Sequence, residues 1–233
     1  MKWATVLTLV WVGLAAAGQW TLEADTGLSS GYAFRGEQRL ASTALVNEAQ
    51  ARWDLSRHFA CTARGLNVTS LGDYDGTVEN RLEASARWRV CRRATLVGGW
   101  LYYDRNRARP QGTDTAEAYG GLETRCWGWR PACYAFYGYR AGKVGTYLLG
   151  TLARTWDVGT AGWRLAALGA LGAELGRGAR GLRNGLVSID LGYPIADGLE
   201  FGPRVDVHVP VAKVDGGQVH AYAGLGFHWA RGF

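Results

Sequence analysis

Residues 77–90, TVENRLEASARWRV, carry two different surfaces in one stretch. Val78, Leu82, Ala84, Ala86, Trp88 and Val90 fall on one face, broken only by Asn80. Thr77, Glu79, Arg81, Glu83, Ser85, Arg87 and Arg89 fall on the other, with no apolar member. A period of two is that of a β-strand, because successive side chains point to opposite sides of the sheet. Two architectures accommodate such a strand. In a soluble sandwich a second sheet covers the apolar face and water meets the charges. In a transmembrane barrel hydrocarbon covers the apolar face and the charges line the lumen.

The two ends of the chain favour the barrel. Residues 1–17 read as a secretory signal peptide: Lys2 supplies the positive start, Trp3 to Leu14 an apolar run, and Ala15 and Ala17 an A-x-A cleavage pattern. The apolar run is shorter than the ~20 residues that a spanning helix requires. No later segment is long and apolar enough to be such a helix, so membrane residence would be as a barrel. At the other end Val219, Ala221, Ala223, Leu225, Phe227, Trp229 and the terminal Phe233 alternate with His220, Tyr222, Gly224, Gly226 and His228. An aromatic last residue on an alternating strand resembles the C-terminal signal by which bacterial outer-membrane barrels reach their assembly machinery. Arg231 departs from that pattern.

Between these ends residues 18–233 read as one domain. Twelve alternating segments fall at about 19–31, 43–54, 58–69, 77–90, 94–104, 115–127, 132–140, 146–156, 162–175, 184–193, 199–209 and 218–230. Each is near the ~10 residues of a tilted spanning strand. Short turns at Ser56-Arg57, Arg92-Arg93, Trp129–Pro131, Gly159-Thr160 and Asp197-Gly198 alternate with longer polar connections. Short turns on one side and long loops on the other are how outer-membrane barrels are built, with the termini on the short-turn, periplasmic side. The expectation is an all-β, closed, antiparallel up-and-down transmembrane barrel of about 12 strands in the bacterial outer membrane. Ten strands remain open if 94–104 and 146–156 pair irregularly.

Tryptophans test the layout. Of the nine beyond residue 17, all but Trp100 fall at the proposed periplasmic strand ends. Tyr32, Phe34, Tyr102, Tyr103, Tyr139 and Tyr147 gather at the other ends, as two interfacial girdles require.

Ser30-Gly-Tyr-Ala-Phe-Arg-Gly36, at the top of the first segment, resembles the S-x-Y-x-(F/W)-R-G opening of the TorF-type porin family. The likeness is local to about the first quarter of the chain. It implies an outer-membrane barrel with a channel role and brings no catalytic residues. On strand parity Tyr32 and Phe34 would face lipid and Arg35 the lumen.

Carrying the parity along gives the pore lining: Arg35, Arg52, Arg64, Glu79, Arg81, Glu83, Arg87, Glu123, Arg125, Arg204, Asp206, His208 and His220. The whole inner face counts ten basic against eleven acidic residues, so no strong charge selectivity follows from it. The chain is nonetheless basic, at a formal +6. The surplus is assigned to outer loops, Arg105, Arg107 and Arg109 in one and Arg177, Arg180 and Arg183 in another, where lipopolysaccharide phosphates would meet guanidinium groups. Solvated loop charge is the plainer alternative. For an exported chain no nucleic-acid partner is expected for such charge.

The four cysteines of this exported chain permit disulfides. Cys126 and Cys133 flank a turn and would pair across a hairpin, and Cys61 and Cys91 are the remaining pair. No spacing supports a metal or cofactor. Asp206, His208 and His220 with Ser188 one strand away offer a weak hydrolase alternative. Residues 176–181 match G-x-G-x-x-G but lie between strands with no helix following, which argues against nucleotide binding. The functional expectation is a narrow passive channel for small polar or charged solutes. The first alternative is a closed structural or surface-interaction barrel acting through its long loops, and the hydrolase is the second.

Overall fold

The computed structural model describes residues 18–34, 37–72, 76–105, 115–138, 145–159, 162–176, 179–210 and 219–233. The expected signal peptide, residues 1–17, lies outside them. Fourteen strands follow in chain order: β1 (Gln19–Ser29), β2 (Tyr32–Phe34), β3 (Glu37–Leu40), β4 (Ala44–Asp54), β5 (Phe59–Ser70), β6 (Gly76–Cys91), β7 (Ala94–Arg105), β8 (Thr115–Thr124), β9 (Arg130–Gly138), β10 (Gly145–Val158), β11 (Trp163–Gly176), β12 (Ala179–Ala196), β13 (Leu199–Pro210) and β14 (His220–Gly232). Twelve of them close an antiparallel barrel in which each strand pairs with its sequence neighbours and β1 pairs with both β14 and β4. β2 and β3 form a separate two-stranded sheet within the first long connection. The two weakly patterned segments, β7 and β10, are paired on both edges, which settles the count at twelve. Closure leaves no free edge, as lipid demands of backbone groups.

Chain ends and short turns share one rim. The backbone N–H of Trp20 donates to the Phe233 carbonyl at 3.1 Å, and that of Phe233 to Trp20 at 2.8 Å. The β8–β9 turn is tighter than the sequence suggested: Cys126 and Trp129 exchange both backbone hydrogen bonds, with Trp127 at φ 52° and Gly128 at φ 79° at the tip. Positive φ at both central positions is the I′ geometry that suits strand twist, and Gly128 was its visible cue. This turn moves the cysteines apart. Cys126 sits at the tip opposite Trp129, while Cys133 lies opposite Leu122. Cys61 pairs with Ala86, five positions from Cys91. All four cysteines are free, and neither expected disulfide forms.

The outward face is greasy. Leu22, Trp88, Leu96, Leu122, Leu152, Leu171, Val187, Ile189, Val205 and Phe227 are all exposed there. In a water-soluble protein such a belt would be an aggregation surface; facing acyl chains it is the spanning surface. One row departs from it. Thr26, Asn47, Asn67 and Asn80 stand side by side in register on β1, β4, β5 and β6. Thr26 donates to Asn47 at 2.7 Å and Asn67 to Asn80 at 2.8 Å, so polar groups on this face bond one another rather than stand bare against hydrocarbon.

The outer aromatic girdle is thinner than expected. Tyr102 faces outward, stacked on Trp100 at 5.9 Å. Its neighbour Tyr103 must then face inward and is buried at 1 % exposure. Tyr147 also points inward, its hydroxyl donating to Asn184 at 3.0 Å. Tyr139 lies outside the described residues.

Candidate functional site

Of the residues that parity assigns to the pore, Arg64, Arg81, Arg204, Asp206 and His208 line one cavity and Arg52, Arg87, Glu123 and Arg125 another; Glu79 and Glu83 pair with Arg81 and Arg64, His220 stacks on Tyr222, and Arg35 lies outside the described residues. Period-two alternation dictates this, since a single register slip would turn the whole set toward lipid. The charges pair along the wall. Arg64 on β5 donates twice to Glu48 on β4, at 2.6 and 2.7 Å, and lies 3.7 Å from Glu83 on β6. Arg87 pairs with Glu123, Arg164 with Glu200 at 2.6 Å, and Arg204 with Asp206 at 3.0 Å. His228 on β14 sits 2.7 Å from Asp25 on β1, its partner in register. Each pair joins residues on one strand or on strands no more than two apart. These are the cross-strand ladders of a sheet surface, and they hold long side chains against the wall.

A strip of rings occupies the wall of β8–β10. Tyr119, Tyr134, Phe136 and Tyr147 follow one another at centroid separations of 5.1 to 6.3 Å. Tyr119 donates to Glu83, and Tyr134 to Glu123 at 2.7 Å. Gly121 makes room for this strip, since a Cβ there would stand 2.3 Å from the Tyr134 ring. The sequence showed these aromatics but not that they share an inner face with the charges.

The first connection folds inward. Tyr32 was expected to face lipid; instead its hydroxyl donates to Glu79 at 3.2 Å and accepts from Arg81 at 2.9 Å. Glu79 is 1 % exposed, and Arg81 holds it at 2.7 Å. The motif around Tyr32 builds this tuck. Ser30 exchanges hydrogen bonds with Ala223 on β14, and Gly31 lies so close to Tyr222 that a Cβ would stand 2.3 Å from its ring. Parity failed here because the barrel strand ends at Ser29, before the motif. The side chain of Phe34 is outside the described residues.

Charge is segregated along the axis. An inner cavity of about 410 Å³ is lined by five carboxylates, Asp25, Glu48, Asp190, Glu200 and Asp206, and four arginines, Arg64, Arg81, Arg164 and Arg204. At the short-turn rim a cavity of about 1310 Å³ is lined by eight arginines and only two carboxylates, Asp54 and Glu123. Three of these arginines are engaged: Arg52 with Asp54 at 2.7 Å, Arg87 with Glu123, and Arg130 with the Thr155 hydroxyl at 3.0 Å. The other five, Arg57, Arg89, Arg92, Arg93 and Arg125, make no ion pair among the described residues. Most of them sit in or beside the short turns, which a count of strand faces passes over. Arg154 stands on the outside of the same rim, over the Trp129 and Trp156 rings at 5.4 and 5.1 Å.

The outer-loop arginines fare differently from expectation. Arg183 lies within β12 and pairs with Glu174 at 2.9 Å. Arg107, Arg109 and Arg177 lie outside the described residues, as do the side chains of Arg105 and Arg180. The hydrolase alternative finds its residues adjacent but otherwise engaged. Ser188 is opposite Asp206 and His208 opposite His220. Asp206 is held by Arg204, and both imidazoles pack on Tyr222, at 5.7 and 6.3 Å.

A closed twelve-strand barrel, oily outside and charged within, has the architecture of an outer-membrane barrel. Solved structures agree at the level of fold. The chain is similar to the NanC porin (10 % identity, 89 % of this chain and 98 % of that one, TM-score 0.57) and to the KdgM porin (9 %, 90 % and 98 %, 0.53). It is also similar to the COG4313 outer-membrane channel of Pseudomonas putida F1 (10 %, 94 % and 97 %, 0.53). No family model and no curated protein matches the sequence.

Proposed function

We propose that this chain is a narrow passive channel for small polar or charged solutes across the bacterial outer membrane. The observation that carries the reading is the direction of the ion pairs. Arginines long enough to meet across the lumen pair instead with carboxylates on their own or nearby strands, and cavities of about 1310 and 410 Å³ remain between the described side chains. Eight-strand barrels fill with side chains and sixteen-strand barrels leave a wide channel, so a twelve-strand wall with its charges laid flat suits a narrow path. Tyr32, anchored to Glu79 and Arg81, lines the smaller of these cavities. The resemblance of residues 30–36 to the TorF-type porin family supports the same reading. Its surroundings would be lipopolysaccharide at the outer rim, with the assembly machinery acting on β14. The test is purified, refolded protein in planar bilayers. Discrete conductance steps are expected, and a folded protein that gives none would overturn the proposal in favour of a closed barrel working through its loops.

A further inference from the structure

We propose that the short-turn mouth is a binding site for small multivalent oxyanions, solutes carrying two or more clustered carboxylate, sulfate or phosphate groups. The inference deepens the channel reading by naming the solute class and the side on which it is held. Eight arginines against two carboxylates give this cavity a formal +6, whereas the inner cavity, with four arginines and five carboxylates, has a formal −1 before its histidines are counted. Positive charge is therefore a property of the mouth, not of the whole wall.

Geometry favours several anionic groups at once. Arg57 comes from the β4–β5 turn, Arg92 and Arg93 from the β6–β7 turn, Arg89 from β6, and Arg125 from the β8–β9 connection. They approach one cavity from three separate connections, so one anionic group cannot satisfy them all. None is committed to a carboxylate among the described residues, so a ligand need not displace an internal partner. Guanidinium is weakly hydrated and matches oxyanions with paired donors, so a cluster of them favours carboxylate or phosphate over chloride. A low-dielectric wall around one sign of charge focuses its field on the opening. Scattered solvated arginines on a rim would also be basic, but they would not enclose a shared volume.

Two measurements test this, one of them independent of conduction. In calorimetry with the refolded barrel in detergent, tripolyphosphate and citrate are expected to bind and acetate at matched ionic strength is not. Arg57→Gln/Arg92→Gln/Arg93→Gln should weaken tripolyphosphate at least about tenfold, as loss of charge-assisted hydrogen bonds implies. The Arg154→Gln control, changed on the outer surface of the same rim, should bind as the native chain does. In bilayers with one known orientation, tripolyphosphate should reduce current at lower concentration from the short-turn side than from the long-loop side. Binding by the triple variant equal to native, or acetate binding as well as citrate, overturns the site; so does block of equal potency from both sides. Binding without any conductance would keep the site and remove the channel.

Discussion

Removing one oxygen atom from Tyr32 should loosen the inward-folded first connection without unfolding the barrel. In the native chain that hydroxyl accepts from Arg81 at 2.9 Å and donates to Glu79 at 3.2 Å. Both partners are charged and poorly exposed, the setting in which a hydrogen bond contributes about 1.5–3 kcal/mol. The longer bond belongs at the weak end, and Glu79 and Arg81 still hold each other at 2.7 Å after the change. About 2 kcal/mol for Tyr32→Phe is therefore a reasonable total, or roughly a thirtyfold shift between tucked and released states. Single-channel recording reads that shift directly: excursions to a larger conductance level should become frequent in the variant. Urea unfolding from lipid vesicles should change much less, because the twelve barrel strands do not depend on β2 and β3. Native-like traces from Tyr32→Phe would refute the anchoring role of the hydroxyl. A variant that failed to fold would refute the separation of this hairpin from the barrel.

Arg64→Ala strips Glu48 and Glu83 of a shared cation at 2.6 and 3.7 Å. Reversal potentials in a KCl gradient should move toward cations, with a stability loss of only about 1 kcal/mol because the side chain is partly solvated. Gly202→Ala places a Cβ 1.5 Å from the Leu191 carbonyl oxygen, so the folded, heat-modifiable band on gels should be largely lost. All four thiols should alkylate in unfolded protein without a reducing agent, and mass spectrometry that found fewer than four adducts would contradict the strand register around Cys61 and Cys133. Brominated acyl chains should quench Trp88 and Trp100, which are 55 % and 39 % exposed on the outward face; unquenched emission would mean that protein, not lipid, covers it.

Alternation is legible wherever one face must meet hydrocarbon and the other cannot, and β6 is the clearest case. Residues 77–90 alone separate its charges from its apolar face, and strand bounds elsewhere fall within about three residues except at β12, which begins five residues early at Ala179. The failures share a physical origin: they lie where the chain leaves the sheet or where neighbouring residues compete. Tyr32 belongs to a hairpin folded off the barrel, so barrel parity had nothing to say about it. Tyr102 and Tyr103 are adjacent, and only one can face lipid. The cysteine pairing failed because Trp127 adopts φ 52°, a conformation uncommon for a bulky residue, and shortens the turn.

The same reasoning explains why a balanced count of wall charges misled. Summing ten bases against eleven acids treats the lumen as one compartment, but a solute meets it in sequence. Screening confines each charge to about 10 Å in ~0.1 M salt, so charges at the mouth and those deep in the wall act on a passing ion at different moments. Acidic and basic residues that alternate on facing strands neutralise each other locally, as Arg64 does with Glu48 and Glu83. Turns have no facing strand to supply the opposite sign, and Arg57, Arg92 and Arg93 stand where the sheet ends. In the proposed channel, axial position would therefore decide selectivity more than net charge: an anion gathered at the basic mouth would meet a nearly neutral wall beyond it, and so move on instead of being trapped.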